Sequence, residues 1–343
     1  MNKKRKKLKV SRAVIAKEAG VTPTTVTCVL NNTRPVSEKV RKKVLDAIEK
    51  LNYIPDISAR AMLGKGTKQI CIMVDSIKNP FFAELVYNIE SAGIEKGFFF
   101  SIGNKMDMKK YVAHIIARKI DAVYFCSEIK EDEIIYVRQL LDNGIKVLTS
   151  PKFKHYENEI SKIDMATGVA ITDAVEYLYQ KGHRKIAFLD TFMQDSTLDD
   201  RLPQYKIAME KHNLTPIFAC PEENNIVATI ENGEKLFDKL IENHGDVTAV
   251  IGINDMVAIG GMARAKHLGY KVPEDISFIG IDGIELSKLV EPPLTTFKSD
   301  AVTLGKKAFE LLDMMIETGE ICEYNHSLTL IERGSVKQLK SKP

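Results

Sequence analysis

Near the N-terminus, apolar residues recur at helical spacing in two short segments separated by a tight turn. The shared apolar side is formed by Ala16, Ala19, Val21, Val26, Val29 and Leu30. Gly20 stands where the first helix should stop, a position that commonly needs a positive φ. Thr22 can cap the second helix, with Pro23 at its first position, where the missing N–H costs nothing. The pattern predicts two helices joined by a tight turn within residues 15–31.

The outward side of the second helix carries only small polar groups: Thr24, Thr25, Thr27 and Cys28. Such groups can approach a surface closely, which suits a helix-turn-helix whose second helix enters the major groove of DNA. An ordinary helical hairpin has the same apolar pattern. On periodicity alone, both interpretations stay open.

A third helix is predicted to begin after its cap, Ser37, and to end near Asn52. Its apolar residues recur at helical spacing and can cover the first two helices: Val40, Val44, Leu45, Ile48 and Leu51. Residues 56–66 then make two more helical turns ending in glycines. Because so short a helix is marginal alone in water, we expect it to fold only when something holds it.

From Gln69 onward, short apolar runs alternate with helical segments. The predicted strands are 70–74, 98–102, 122–125, 146–148, 185–189, 215–219, 249–253 and 277–281. This alternation is typical of parallel sheets covered on both faces, and the rhythm restarts after 167. We therefore expect a small all-α head followed by an α/β body of two doubly wound parallel-sheet subdomains. Ligands of such sheets bind outside the carboxyl ends of the strands, so a cleft between the subdomains is the expected binding site.

The charge distribution separates the head from the body. Residues 1–66 carry a net charge of +11, whereas the remaining residues carry −8. Basic side chains flank the two helices, at 3–9 before them and at 41–43 after them. A basic run flanking a helix-turn-helix is the electrostatic footprint of a protein that binds the phosphate backbone. The charge therefore favours a DNA-binding head over an ordinary hairpin.

Several protein classes are disfavoured. No stretch approaches 18 apolar residues, and Arg12, Lys17 and Glu18 interrupt any signal-peptide pattern. Five scattered cysteines without metal-ligand spacing indicate reduced thiols in a cytoplasmic protein, with no metal and no cofactor. No GxSxG, P-loop or strand-linked GxGxxG motif is present, so we expect a binding protein rather than an enzyme. A secreted sugar-binding protein would suit the body, but the basic helical head argues against it.

The motifs from Val10 to about Arg333 together resemble the lactose/galactose repressor family of bacterial transcription regulators. They are AGVTPTTVT (19–27), VSEKVR (36–41), LNYIP (51–55), ARAM (59–62), NPFF (79–82), KGHRKIAF (181–188), Arg201 with Tyr205, ND (254–255), VPEDIS (272–277), GID (280–282) and PPLTT (292–296). The resemblance implies a DNA-binding domain at 1–55, a hinge helix at 56–67 and a periplasmic-binding-protein-like body at 68–335. It also implies two subdomains, about 68–162 plus 290–325, and 163–289 plus 326–335.

The resemblance implies a homodimeric regulator, expected to be a repressor, that reads a near-palindromic operator in double-stranded DNA. A small molecule, expected to be a sugar, would bind the cleft and control operator affinity; a purine or a protein co-repressor is the alternative. The implied DNA contacts are Ser11, Thr22, Pro23, Thr24, Thr25, Thr27, Cys28, Asn31, Ser37, Tyr53, Ala59 and Met62. Met62 stands at the position of an apolar wedge that kinks a base step in the minor groove. Simple packing of Met62 against the partner hinge is the alternative.

The implied effector contacts are Phe81, Phe82, Asp164, Arg201, Asn254 and Asp282. Their chemistry fits, because a guanidinium fork, an amide and carboxylates can together satisfy sugar hydroxyls. Each has a plainer interpretation: Asp282 and Asn254 could cap helices, Arg201 could form a surface ion pair, and the phenylalanines could be core.

Cys28 departs from the family pattern, in which an arginine usually stands on the recognition helix. An arginine bound bidentately to guanine is the commonest specific base contact, and a thiol cannot make it. We therefore expect a different operator base pair there, with Thr24 and Thr25 reading more of the site. Alternatively, Cys28 is half-buried and reads nothing.

Overall fold

A computed structural model describes residues 10–31, 34–53, 66–104, 107–150, 153, 155–194, 199–222 and 225–339, with the backbone alone for Asn31. The chain divides into two compact units, residues 1–65 and residues 66–343. We call them the head and the body. The predicted hinge, with Ala59 and Met62, falls almost entirely within 54–65, outside the described residues. No helix of the described parts is long and apolar enough to cross a membrane.

The head contains three helices: α1 (Arg12–Ala19), α2 (Pro23–Asn31) and α3 (Glu38–Lys50). Helix α1 ends at Gly20, whose φ of 65° is the positive value that the sequence predicts for this turn. The Thr22 hydroxyl accepts a 3.2 Å hydrogen bond from the N–H of Thr25 and so caps α2. The side chains of Ser11 and Ser37 make no capping bond, although both residues precede a helix. The buried core of the head consists of Ile15, Ala16, Ala19, Val26, Val29, Val44 and Ala47.

The body begins with β1 (Gln69–Val74), α4 (Pro80–Gly93), β2 (Phe99–Asn104), α5 (Met108–Arg118), β3 (Ala122–Phe125), α6 (Ile134–Asp142), β4 (Lys146–Thr149) and β5 (Ser161–Asp164). It continues with α7 (Thr167–Gln180), β6 (Ile186–Leu189), α8 (Arg201–Lys211), β7 (Ile217–Ala219), α9 (Ile230–Asn243), β8 (Ala249–Gly252), α10 (Asp255–His267), β9 (Ser277–Asp282), α11 (Leu286–Leu289) and β10 (Thr295–Lys298). It ends with α12 (Ala301–Thr318), β11 (Glu323–Asn325) and β12 (Thr329–Ile331).

These strands form two six-stranded sheets, ordered β11-β5-β4-β3-β1-β2 and β12-β10-β9-β8-β6-β7. All neighbours are parallel except β12, which runs antiparallel to β10. Helices cover both faces, and apolar clusters fill the space between helices and sheets. The fold is thus the predicted pair of doubly wound parallel-sheet subdomains.

The chain crosses between the subdomains three times: after β5, after β10 and between β11 and β12. Two of these crossings are joined, because the Ser299 Oγ lies 3.0 Å from the His326 Nε2. Both side chains are buried.

Two predicted subdomain boundaries differ from those of the structure. Residues 290–325 were expected to belong entirely to the first subdomain, but β10 pairs in parallel with β9, placing it in the second sheet. The reason is that Leu294 and Phe297 belong to the second apolar core, and Thr295 and Thr296 between them are also buried. The return crossing therefore comes after Lys298. The boundary at 162 also falls inside β5, which belongs to the first sheet to its end at Asp164.

Candidate functional site

The outward residues of α2 are small, and the hydroxyls of Thr25 and Thr27 are engaged within the head. The Thr22 and Thr25 hydroxyls lie 2.9 Å apart, and the Thr27 hydroxyl donates a 3.0 Å bond to the carbonyl oxygen of Pro23. Arg12 Nη1 donates to the same Thr27 hydroxyl at 3.4 Å. Cys28 is half-buried, whereas Thr24 is exposed. This surface therefore offers methyl groups and a thiol, which suit contact with thymine methyls.

The described part of the head is basic. Its cations, Arg12, Lys17, Arg34, Lys39, Arg41, Lys42, Lys43 and Lys50, outnumber its acids, Glu18, Glu38, Asp46 and Glu49. Lys50 is paired with Glu18 at 2.5 Å. Most of the remaining cations are exposed and can contact phosphates.

The body contains a cavity of about 330 Å³ lined by residues of both subdomains, which we call the cleft. Several of its lining residues stand at or just after the carboxyl ends of strands of both sheets. Asp75 follows β1, Asp164 ends β5, Asn254 follows β8 and Asp282 ends β9. This is the ligand position that the doubly wound topology predicts. All six predicted effector residues line the cleft: Phe81, Phe82, Asp164, Arg201, Asn254 and Asp282.

Arg201 is held by Asp199 rather than presented freely to the cavity. Its Nε lies 2.8 and 3.0 Å from the two Asp199 carboxylate oxygens, and its Nη2 lies 2.6 Å from one of them. Its Nη1 donates a 3.1 Å bond to the carbonyl oxygen of Ile253. The two side chains are only 15% and 9% exposed, so this is a largely buried, bidentate ion pair. The guanidinium fork is thus already occupied.

Asn254 combines a helix cap with a place in the cleft. Its Oδ1 accepts a 3.0 Å bond from the N–H of Val257 and so caps α10. The residue is 7% exposed, and its amide NH₂ makes no hydrogen bond to any described residue. Asn254 therefore caps α10 and also lines the cleft, and its role as an effector contact stays a prediction.

Asp282 ends β9 with a φ of 113°, in the region that disfavours side chains, and does not cap α11. Burial raises the pKa of its carboxyl well above the usual range, with a further contribution from Asp255, while a hydrogen bond from Asn79 opposes the shift. The Asp255 carboxylate accepts from the Thr296 hydroxyl at 2.5 Å and from the Ile284 N–H at 2.9 Å. Burial raises the pKa of Asp255 to about 7. Asp282 therefore stands on a buried polar network.

Phe81 and Phe82 are half-buried and meet edge to face, with ring centroids 5.4 Å apart. They open α4, which Asn79 caps by accepting a 3.1 Å bond from the N–H of Phe81. Both rings pack against apolar core clusters while lining the cleft. Each ring thus has one side against the apolar core and another side in the cleft lining.

Sequence reasoning missed most of the charged lining. The additional residues are Asp75, Glu128, Lys130, Glu133, Asp199 and Asp200. Asp75 directly follows β1, and Glu128 lies three residues after β3. Acids directly after predicted strands are the signal that could have identified these two, because strand ends meet at the cleft.

Two family models match this chain. One describes bacterial regulatory proteins of the lacI family and covers residues 14–56; the other describes a periplasmic binding protein-like domain and covers 175–336. The "HTH-type transcriptional repressor PurR" of Vibrio vulnificus is 32% identical over 307 residues, which span 87% of this chain and 89% of that protein. The chain belongs to the lacI family. It is a DNA-binding transcriptional repressor of that family.

Other comparisons agree with this membership. The PurR repressor of Vibrio atlanticus is 31% identical over 339 residues, covering 95% of this chain and 98% of that protein. A crystal structure of the lac repressor dimer bound to operator and the anti-inducer ONPF matches with a TM-score of 0.79 at 24% identity. That match covers 96% of this chain and 100% of the lac repressor chain, and it shows that the two share a fold.

Proposed function

We propose that this lacI-family repressor acts as a cytoplasmic homodimer whose operator affinity is set by a small hydroxylated ligand, in its simplest form a sugar, bound in the cleft. The observation that carries the proposal is the cleft itself. It places an amide, carboxylates and aromatic rings from both subdomains around one cavity of about 330 Å³. Amides and carboxylates can hydrogen-bond hydroxyls, and aromatic rings can cover a sugar face. No nucleophile–base pair among the described lining residues suggests chemistry, so the cleft binds without reacting.

Because lining residues come from both sheets, a ligand can bridge the subdomains. Asp164 and Phe82 belong to the first, whereas Asn254 and Asp282 belong to the second. A ligand that prefers a closed body changes operator affinity only by its differential affinity for the closed and open states. Whether the ligand lowers or raises operator affinity depends on which state, open or closed, holds the two DNA-binding heads at the distance that separates the operator half-sites.

A purine is the second candidate effector. The similarity to repressors named PurR favours it. The Phe81 and Phe82 rings could stack on a base as well as on a sugar.

The family and an exposed sheet edge support the proposed homodimer. Strand β2 is the edge of the first sheet, and its Phe99 and Ile102 are 64% and 46% exposed. Exposed apolar edges are sites of association, and the related lac repressor is a dimer on its operator. A two-fold dimer reads a near-palindromic operator, with the α2 helices of both heads in successive major grooves. We propose that Thr24, Thr25, Thr27 and Cys28 face the bases there.

Calorimetric titration of the full-length protein tests the effector class. The panel contains mono- and disaccharides and purines, with operator binding followed by fluorescence anisotropy. We expect one sugar to bind wild type and change operator affinity, and Asn254→Ala to weaken that binding at least about tenfold. A purine that does both selects the second candidate. Binding unaffected by Asn254→Ala contradicts placement of the ligand in this cleft.

A further inference from the structure

We propose that Arg12, on helix α1, is the residue through which the head recognises a guanine in each operator half-site. The inference rests on the proposed placement of α2 in the major groove and assigns a specificity-determining residue outside that helix. Arg12 is not among the DNA contacts that the family resemblance implies.

The outward surface of α2 has no side chain that suits a guanine. The usual guanine contact is an arginine or lysine that donates to N7 and O6 in the major groove. Residues 22–30 contain neither of these, and no asparagine or glutamine. Asn31 ends α2 and Arg34 follows it, whereas the base contacts of a recognition helix come from its N-terminal part. A guanine in the half-site therefore needs a donor from outside α2.

The hydroxyls and the thiol on this surface do not replace such a donor. The Thr27 hydroxyl donates at 3.0 Å to a backbone carbonyl oxygen one turn earlier, and the Thr25 hydroxyl lies 2.9 Å from the hydroxyl of the capping threonine. Thr24 is exposed, but its hydroxyl has only one hydrogen to donate. The Cys28 thiol is a weak donor. None of these groups can donate two parallel hydrogen bonds to one base.

The Arg12 guanidinium reaches this surface from α1. Its Nη1 donates to the Thr27 hydroxyl at 3.4 Å, which places the guanidinium beside α2. A guanidinium has five N–H donors, and the contact with Thr27 occupies one of them. The Nε–H and one Nη2–H lie on the same edge of the planar group and have no acceptor among the described residues. These two parallel donors match the N7 and O6 acceptors of guanine.

The position of Arg12 does not favour the stability of the head. Arg12 is the first residue of α1, where the helix macrodipole disfavours a cation, and the first turn contains no acid. It forms no ion pair with any described residue. Lys17, by contrast, stands in the last turn of α1, where the dipole favours a cation. A cation without a partner at an unfavourable position indicates that its partner belongs to another molecule.

The contact with Thr27 favours a base over a phosphate as that partner. Thr27 belongs to the surface of α2 that is proposed to face the bases, and the guanidinium bonds to it directly. Phosphates line the walls of the groove, where exposed cations such as Lys42 and Lys43 can reach them. Arg12 therefore supplies the base contact that α2 lacks.

Selection of operators from a random DNA library tests the inference in the full-length protein. Wild type, Arg12→Ala and Lys17→Ala are compared, without small molecules and with the sugar and purine panel. We expect wild type to select a palindromic motif with a guanine in each half-site, Arg12→Ala to lose the preference at that position alone, and Lys17→Ala to keep it. A motif unchanged by Arg12→Ala overturns this inference alone. Absence of any palindromic motif overturns the proposed operator reading as well.

Modified bases test the contact without changing the protein. In the selected operator, 7-deazaguanine removes the N7 acceptor, whereas inosine removes only the amino group in the minor groove. We expect 7-deazaguanine to weaken wild-type binding about fivefold or more in fluorescence anisotropy and inosine to leave it unchanged. Arg12→Ala should bind the normal and the 7-deaza operator equally. Equal sensitivity of wild type and Arg12→Ala to 7-deazaguanine overturns the contact.

Salt dependence separates a base contact from a phosphate contact. Loss of one phosphate contact reduces the slope of log K against log salt by about 1. We expect Arg12→Gln to keep the wild-type slope on random DNA and to weaken binding only to the operator, by about fivefold or more. A reduced slope with equal losses on operator and random DNA assigns Arg12 to a phosphate and overturns the inference.

Discussion

The two walls of the cleft are built differently. The wall contributed by the second subdomain is supported by buried hydrogen bonds. The Asp255 carboxylate accepts from the Thr296 hydroxyl and the Ile284 N–H, and the Asp199 carboxylate forms an ion pair with Arg201. Beneath the wall of the first subdomain, the buried hydroxyls of Ser127 and Thr149 have no hydrogen-bond partner among the described residues. The carboxylate that this wall presents at Asp164 is exposed. Hydrogen bonds thus fix the side chains of the second wall before a ligand binds. The first wall contributes a carboxylate and aromatic rings that fewer hydrogen bonds hold in place.

Asp255→Ala should have the largest effect, because it removes the foundation of the second wall. The Ile284 N–H and the Thr296 hydroxyl would be left buried without a partner, and each such loss costs about 1–3 kcal/mol. We expect the free energy of unfolding to fall by about 3 kcal/mol, measured by urea denaturation at pH 7. A loss below about 1 kcal/mol would show that the network contributes little.

Asp199→Ala should come next. It leaves the Arg201 guanidinium, 15% exposed, without its carboxylate. Because the cleft admits water, we expect a loss of about 2 kcal/mol, less than the about 3–5 kcal/mol for breaking a fully buried pair. Urea denaturation measures it, with Asp246→Asn on the surface as the control. Equal stability of the two variants would mean that the ion pair between Asp199 and Arg201 contributes nothing to the free energy of unfolding.

Two identical substitutions compare the walls most directly. Thr296→Val removes the hydroxyl that donates to Asp255 at 2.5 Å, and we expect a loss of about 1–2 kcal/mol. Thr149→Val removes a buried hydroxyl without a described partner, so we expect stability to stay equal or to rise by up to about 1 kcal/mol. Thermal and urea denaturation measure both. Equal losses in the two variants would erase the distinction between the walls.

The last expected effect depends on pH. Burial raises the pKa of Asp190, which is 1% exposed and adjoins the second wall, to about 7 from 3.8. The native state therefore binds this proton more tightly than the unfolded state does, and the associated stability is lost as the pH rises from about 4 through about 7. Asp190→Asn keeps the acceptor for the Phe192 N–H. Because the pKa rises from 3.8 to about 7, we expect the variant to gain up to about 4 kcal/mol relative to wild type at pH 8 and almost nothing at pH 4. A difference independent of pH would contradict the raised pKa.

The sequence could predict what local pattern controls. Strand β3 matches its predicted bounds of 122–125, and Gly20 and Thr22 end and begin their helices as expected. The prediction missed β10 because two prolines precede a short run whose strand partner lies elsewhere in the chain. Helix α12 and the edge strands β11 and β12 were likewise not predicted as separate elements.

The sequence could predict several residues that line the cleft, but not how their side chains pair, and their role as effector contacts stays a prediction. The family motifs pointed to three residues that all line one cavity: Arg201, Asn254 and Asp282. The spacing of Asp199 and Arg201 in the sequence does not show that the Asp199 carboxylate binds the Arg201 guanidinium. That ion pair depends on side-chain geometry at the start of α8. Most of the acidic lining of the cleft also escaped prediction, since it gathers residues from five separate segments, at 75, 128–133, 164, 199–200 and 282.

The threefold passage of the chain between the subdomains has a mechanical consequence. A protease that cuts one crossing leaves two intact connections, and the Ser299–His326 bond still joins the pair after β10 and β11. A nicked body should therefore migrate as fragments on a denaturing gel but keep its native size on a sizing column. The same three connections restrict relative motion to a pivot, since a free twist would strain at least one of them.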